Sequence, residues 1–231
     1  MKAYAKIELK KISLKSQFVG LLIANIFIML LSVSLGMLIP MSVELMEGVN
    51  FSISAGMLVD TLIKAIFIVW EAILLAMLIV SEFQNNTALM FYTYPVQVKE
   101  IIMAKVVIVL SIITSFIFIS EFVQNVILYL VSFIFPSINY QFNFSLLVTM
   151  VITTVGSVLM GLIPLFFGML NKSVIVTVTV SIFIMCIVTS SAAGPGGILS
   201  KGAAAIFLGI LGLIAGKATF SRIEKEDFKS K

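Results

Sequence analysis

The chain has 231 residues; 61% are hydrophobic, against roughly 45–50% in soluble domains, and 11% are charged, against roughly 25%. That composition cannot cover a soluble fold with polar surface, so the chain reads as an integral membrane protein with no room for a second soluble domain. The net charge of +4 is concentrated towards the two ends, which makes a poor nucleic-acid surface.

The N-terminal arm, residues 1–16, carries Lys2, Lys6, Lys10, Lys11 and Lys15 against Glu8. The apolar run that follows is about 24 residues long, whereas a signal-peptide core is about 7–15. It therefore predicts a retained first span, 18–39, with the basic arm in the cytoplasm. Ile7, Leu9, Ile12 and Leu14 interleave with the lysines, so the arm also suits an anionic leaflet surface.

Five further spans are expected at 57–80, 101–120, 146–170, 173–190 and 202–220, within a transmembrane domain of 17–220. The third apolar segment is longer than one crossing: Ile101 to Ile134 would measure about 51 Å as a single helix. Glu121 and Asn125 interrupt it, and Pro136 ends it. The expectation is one crossing followed by an outer-face or re-entrant segment over 122–134. A mixed-charge cytoplasmic tail, 221–231, closes the sequence.

Charge placement tests this topology. With both ends inside, every Lys and Arg except Lys64 and Lys201 falls on or near the cytoplasmic side. Two cytoplasmic ends need an even number of crossings, which favours six.

Span two holds the most informative polar residues. Asp60 and Lys64 are four apart and share a helical face, with Glu71 seven further along it. A carboxylate at mid-membrane costs a few kcal/mol or more unless protein, water or cargo meets it, on the order of the insertion scales. The face either lines a pathway or locks span two to a neighbour. Glu121 and Asn125 share a face at the outer end of span three, as polar contacts or as a helix breaker. Gly212 and Gly216 form a GxxxG spacing in span six suited to close helix packing, and Gly161, Pro164 and Gly168 are placed to bend span four.

Signatures of chemistry are missing. No GxxxxGK[ST] loop is present to cradle a nucleotide. The chain has no histidine, which removes the HExxH zinc site, and its one cysteine, Cys186, makes no internal disulfide or multi-cysteine metal site. No catalytic residue, cofactor site or metal site is expected, and the chain does not read as an enzyme.

The connection 81–100 reads SEFQNNTALMFYTYPVQVKE. Its first half suits a short amphipathic helix, and Pro95 turns the chain into span three. With the basic arm before span one, this connection resembles the permease subunit of an ABC-2 type exporter. That group includes bacterial peptide, antibiotic and bacteriocin-immunity exporters. The resemblance is carried by Glu82, Phe83, Thr87, Tyr94, Pro95 and Lys99, by Ala104 and Lys105 at the start of span three, and by the tail from Phe220 to Lys231. It spans essentially the full chain with loose motifs.

The resemblance implies an all-α, six-span permease fold in the bacterial cell membrane. It implies a second permease, identical or homologous, and two cytoplasmic ABC ATPase subunits that bind ATP and Mg. The segment 81–100 would couple to those ATPases, through Glu82, Phe83, Thr87, Tyr94, Pro95 and Lys99. The cargo would be amphipathic peptides or hydrophobic compounds moved outward. The alternatives are a non-pumping immunity or sensor protein, and a proton-coupled secondary transporter that uses Glu71.

Overall fold

The computed structural model describes residues 14–43, 55–85, 98–134, 144–190 and 202–229. All described elements are helical, as expected where lipid offers the backbone no hydrogen-bond partners. In order they are α1 (Leu14–Val43), α2 (Ala55–Leu75), a π-helical stretch (Ala76–Val80), α3 (Ser81–Gln84), α4 (Val98–Ile134), α5 (Phe144–Met160), α6 (Leu162–Asn171), α7 (Val174–Val188) and α8 (Gly202–Lys229).

Four helices among the described residues are long and apolar enough to cross a membrane: Val59–Gln84, Lys99–Val131, Leu147–Asn171 and Gly202–Glu224. This corrects the six-span expectation. Behind the other two expected spans the described apolar stretches are Lys15–Leu31, within α1, and Val174–Val188, the whole of α7, which at 15 residues is shorter than the roughly 20 a crossing needs.

A second difference concerns 122–134. α4 runs unbroken from Val98 to Ile134, 37 residues or about 55 Å, with no separate segment after Ser120. Glu121 and Asn125 do not break it: Glu121 finds Thr154 on α5, and Asn125, which bonds the Glu121 carbonyl one turn back, also reaches Met150 on α5.

The helix expected over 146–170 is divided. Gly161 separates α5 from α6, its N–H reaching the carbonyls of Ser157 and Val158 at 3.2 Å each. Pro164 has no N–H to offer the carbonyl of Met160 four residues earlier, so the ladder is interrupted at this point. α6 then ends at Lys172, whose φ of 48° is left-handed, and Ser173 donates its N–H to the Gly168 carbonyl at 3.1 Å. The tight reversal sends α7 back along α6.

The main core joins α2 and α4 to α1, α5 and α6 through Ile28, Phe67, Val109, Ile113, Val158 and Leu165, all buried. A smaller cluster, Ile68, Met160, Val188 and Ala205, ties α7 and α8 to α2 and α5. α5 and α8 pack backbone to backbone. A Cβ on Gly209 would stand 3.2 Å from Gly156 Cα, and one on Gly156 would stand 2.8 Å from the Ala205 carbonyl carbon. Between helices that lack a hydrophobic driving force for association, such small-residue contact supplies van der Waals attraction.

Candidate functional site

The first polar group lies where α2, α4 and α5 meet. Lys64 is 1% exposed and forms an ion pair with Asp60 on its own helix. Its ammonium also donates to Thr153 Oγ1 at 2.7 Å on α5. The neighbouring Thr154 donates to Glu121 Oε1 on α4 at 2.9 Å. Glu121 lies within electrostatic reach of Lys64 and within hydrogen-bonding reach of Asp60. Asn125, one turn on, donates to the Glu121 carbonyl at 2.6 Å and reaches Met150 Sδ at 3.8 Å. The structure thus brings Asp60, Lys64, Glu121 and Asn125 into one network between three helices. Thr153 and Thr154, which complete it, escape sequence reading because hydroxyls in apolar spans usually bond their own helix. Thr153 does so too, donating to the carbonyls of Thr149 and Met150.

A groove of about 1280 Å³ opens beside this network, between the C-terminal half of α4 and the start of α5. Glu121 and Asn125 are in its wall, with Phe118, Phe122, Leu130 and Val151 supplying apolar surface. A pocket of this size exceeds the roughly 300–1,000 Å³ of ordinary small-molecule sites.

Glu71 stands apart from the network. It is 1% exposed, and its Oε1 has no hydrogen-bond partner among the described residues. Its carboxylate lies against Gly161, where any Cβ would overlap it. The mid-membrane acid of α2 therefore faces the break between α5 and α6.

The third polar group closes the opposite end of the bundle, where the sequence places the connection 81–100. Glu82 on α3 pairs with Lys105 on α4 at 2.5 Å, and Lys105 also donates to the Leu78 carbonyl at 3.2 Å. Lys99 pairs with Glu224 on α8 at 2.7 Å. Gln84 Oε1 accepts the Val174 N–H at 3.1 Å, at the start of α7. Phe83 is buried in the main core. Thr87, Tyr94 and Pro95 lie outside the described residues. Glu224 and Gln84 carry no sequence signal, since both sit in polar stretches where such residues are ordinary.

Two more sites bind α1. Asn25 donates to Ser120 Oγ at 2.8 Å, and Gln124 donates to the Asn25 carbonyl at 2.8 Å. Trp70 Nε1 donates to Gln17 Oε1 at 2.8 Å. Gly212 sits on the carbonyl of Leu159, and a Cβ on Gly216 would stand 3.0 Å from Leu162 Cδ1. Among the described residues no three His, Cys, Asp or Glu side chains gather to hold a metal ion.

No family model and no solved structure matches the chain, so the ABC-2 permease fold expected from the sequence gives way to an all-α multi-pass fold with four membrane-spanning helices among the described residues. The chain is 30% identical over 199 residues to a Bacillus subtilis (strain 168) protein named "Uncharacterized protein YcbO", an alignment that covers 82% of this chain and 84% of the relative. With that extent of likeness, and with the multi-pass helical architecture described above, the chain belongs to the family of the Bacillus subtilis protein YcbO.

Proposed function

We propose that the chain is the membrane-embedded subunit of an ATP-driven exporter, moving amphipathic peptides or hydrophobic compounds across the bacterial cell membrane. Separate ABC ATPase subunits would bind ATP and Mg, and a second permease chain, identical or homologous, would complete the pathway. The observation that carries this reading is how the connection 81–100 is rooted. Its leading end is clamped to α4 by Glu82–Lys105 and to α7 by Gln84–Val174. Its trailing end is clamped to α8 by Lys99–Glu224. A push on this connection would act on several helices together, which is what a motor held in a partner subunit requires. The residue pattern Glu82, Phe83, Thr87, Tyr94, Pro95 and Lys99 supports the same reading.

The test is purification of the tagged chain, expressed with its genomic neighbours, followed by stoichiometric mass spectrometry. A phosphate-loop ATPase at one copy per chain is the expected result. Crosslinks from it to residues 81–100 would assign the contact. A chain that purifies alone, even with a trapped nucleotide present, would overturn the reading.

A second reading rests on Glu71, a buried acid whose Oε1 lacks a partner among the described residues, beside a broken helix. Carboxylates at such breaks serve ion coupling in secondary transporters. Transport by proteoliposomes that follows a proton gradient, and stops in Glu71→Gln, would favour it over ATP-driven export.

A further inference from the structure

We propose that Glu71 is an exchangeable proton-binding site: the closed bundle holds it as a neutral acid, and loss of its proton opens the joint between α5 and α6. Glu71 is the acid of the second reading above, and what the site means for transport rests on that reading. Proton binding itself depends only on the bundle.

The carboxyl group is enclosed. Phe67, Ile68, Ala72 and Leu75 on its own helix are buried, and both of its oxygens rest against Gly161. Among the described residues Oε1 has no hydrogen-bond partner, and no neighbouring charge acts on the group. The charges of the surrounding helices are engaged or distant. Lys64, two turns up α2, is held by Asp60 and Thr153. On α4, Lys105 is held by Glu82, and Glu121 by Thr154. α5, α6 and α7 carry no Asp, Glu, Lys or Arg, and the Cys186 thiol of α7 is exposed. α1 has only Lys15, in its first turn, and α8 is charged only from Lys217 on.

An ionised carboxylate in such a place is costly. A metal ion would need several oxygen ligands, and no three His, Cys, Asp or Glu side chains gather among the described residues. A proton needs one oxygen and leaves a neutral group, so the enclosure selects the proton. Once the proton is lost, the charge needs water. The wall that yields most easily is at Gly161. The Gly161 N–H is shared between two carbonyls at 3.2 Å each, and Pro164 leaves the Met160 carbonyl without its helical donor. Parting α5 from α6 there breaks fewer hydrogen bonds than opening a continuous turn of α2. α7 follows α6 through the tight reversal at Lys172, and its far end is held to α2 and α5 by the small apolar cluster around Val188.

The chain has one tryptophan, Trp70, next to Glu71, and one cysteine, Cys186, exposed on α7. Energy transfer from Trp70 to a fluorescent acceptor on Cys186 therefore reads the joint with no engineered residue. The full chain is held in an ester-free detergent, so that lipid does not mask the infrared band of a neutral carboxyl group. At neutral pH the expected spectrum contains such a band, which Glu71→Gln removes and Glu121→Gln does not. Raising the pH should abolish that band and lower the energy transfer over the same interval. Glu71→Gln and Glu71→Met, both permanently uncharged, should keep the transfer high throughout. Identical carboxyl bands in the wild type and Glu71→Gln would overturn the proposal. So would a Glu71 band that persists to the most alkaline pH the fold survives, band loss with unchanged transfer, or a fall in transfer that the uncharged variants share. Neither readout needs transport. Proteoliposome transport that ignores a proton gradient would sink the second reading and leave the site standing.

Discussion

Glu82 and Lys105 form a 2.5 Å ion pair in which the lysine is 1% exposed and the carboxylate 15%. The pair joins the end of the α2–α3 helical run to α4. Removing one member takes the opposite charge from the other, a change that costs about 3–5 kcal/mol in buried pairs. Lys105→Met should therefore lower the unfolding temperature of the detergent-solubilised chain markedly. Glu82→Gln should lower it less, because the amide oxygen still accepts from the Lys105 ammonium, which also keeps the Leu78 carbonyl. Combining Lys105→Met with Glu82→Leu should recover part of the loss. A double variant no better than Lys105→Met would mean that the charges are not coupled.

Gly161 and Glu71 should behave as one unit. Gly161→Ala drives a methyl group into the space of the Glu71 carboxylate, at a point where the helix is already interrupted. Contacting residues of this kind show coupling energies of about 0.5–3 kcal/mol. Gly161→Ala alone should destabilise, and Glu71→Ala should rescue it. Thermal unfolding of both single variants and the double variant measures this. Additive effects would place the carboxylate elsewhere.

The polar residues show how far sequence reading reaches. The Asp60–Lys64 spacing announced an intrahelical pair, because i,i+4 residues on a helix are neighbours whatever surrounds them. Their link through Thr153 and Thr154 to Glu121 was not legible, because it depends on which faces of α2, α4 and α5 meet. Glu121 and Asn125 were read as an interruption, since an acid and an amide in an apolar run look costly to a continuing helix. Once α5 supplies Thr154 and Met150, the cost falls and the helix continues to Ile134. The expected spans 18–39 and 173–190 are not among the four crossing helices: the apolar stretches described there are Lys15–Leu31, within the longer α1, and the 15-residue Val174–Val188. Lys99 and Lys105 were legible as basic residues at an inner boundary. Their acidic partners, Glu224 and Glu82, lie 125 and 23 positions away, and pairing at that range is set by the fold.

The contact between α5 and α8 predicts a steep size limit. Gly212→Leu would put a branched side chain onto the Leu159 carbonyl, and backbone cannot yield as a side-chain tip does. Overpacking costs about 1–3 kcal/mol where neighbours can shift, and more where they cannot. Gly212→Leu should broaden or abolish the monodisperse peak in size-exclusion chromatography. Gly202→Ala, on the same helix, should leave it unchanged, because a Cβ there meets its nearest neighbour, Ile152 Cγ2, at 3.7 Å.

Trp70 is the chain's one tryptophan, so its fluorescence reports a single place. Its ring stacks on Phe67 at 5.6 Å and meets Phe116 edge-on at 6.2 Å, while its Nε1 is held by Gln17 of α1. Gly20 of the same helix lies against the ring, where a Cβ would stand 2.7 Å from Cη2. The indole is therefore the contact through which α1 docks on α2. Gln17→Leu removes an acceptor and leaves a half-buried N–H, a loss of about 1 kcal/mol. Gly20→Val adds bulk against a rigid ring and should displace α1 outright. Emission from Trp70 should shift only slightly in Gln17→Leu and strongly in Gly20→Val, with quenching by a brominated lipid rising in the second as lipid replaces α1. An unchanged quenching profile in Gly20→Val would mean that α1 does not cover this tryptophan in the membrane.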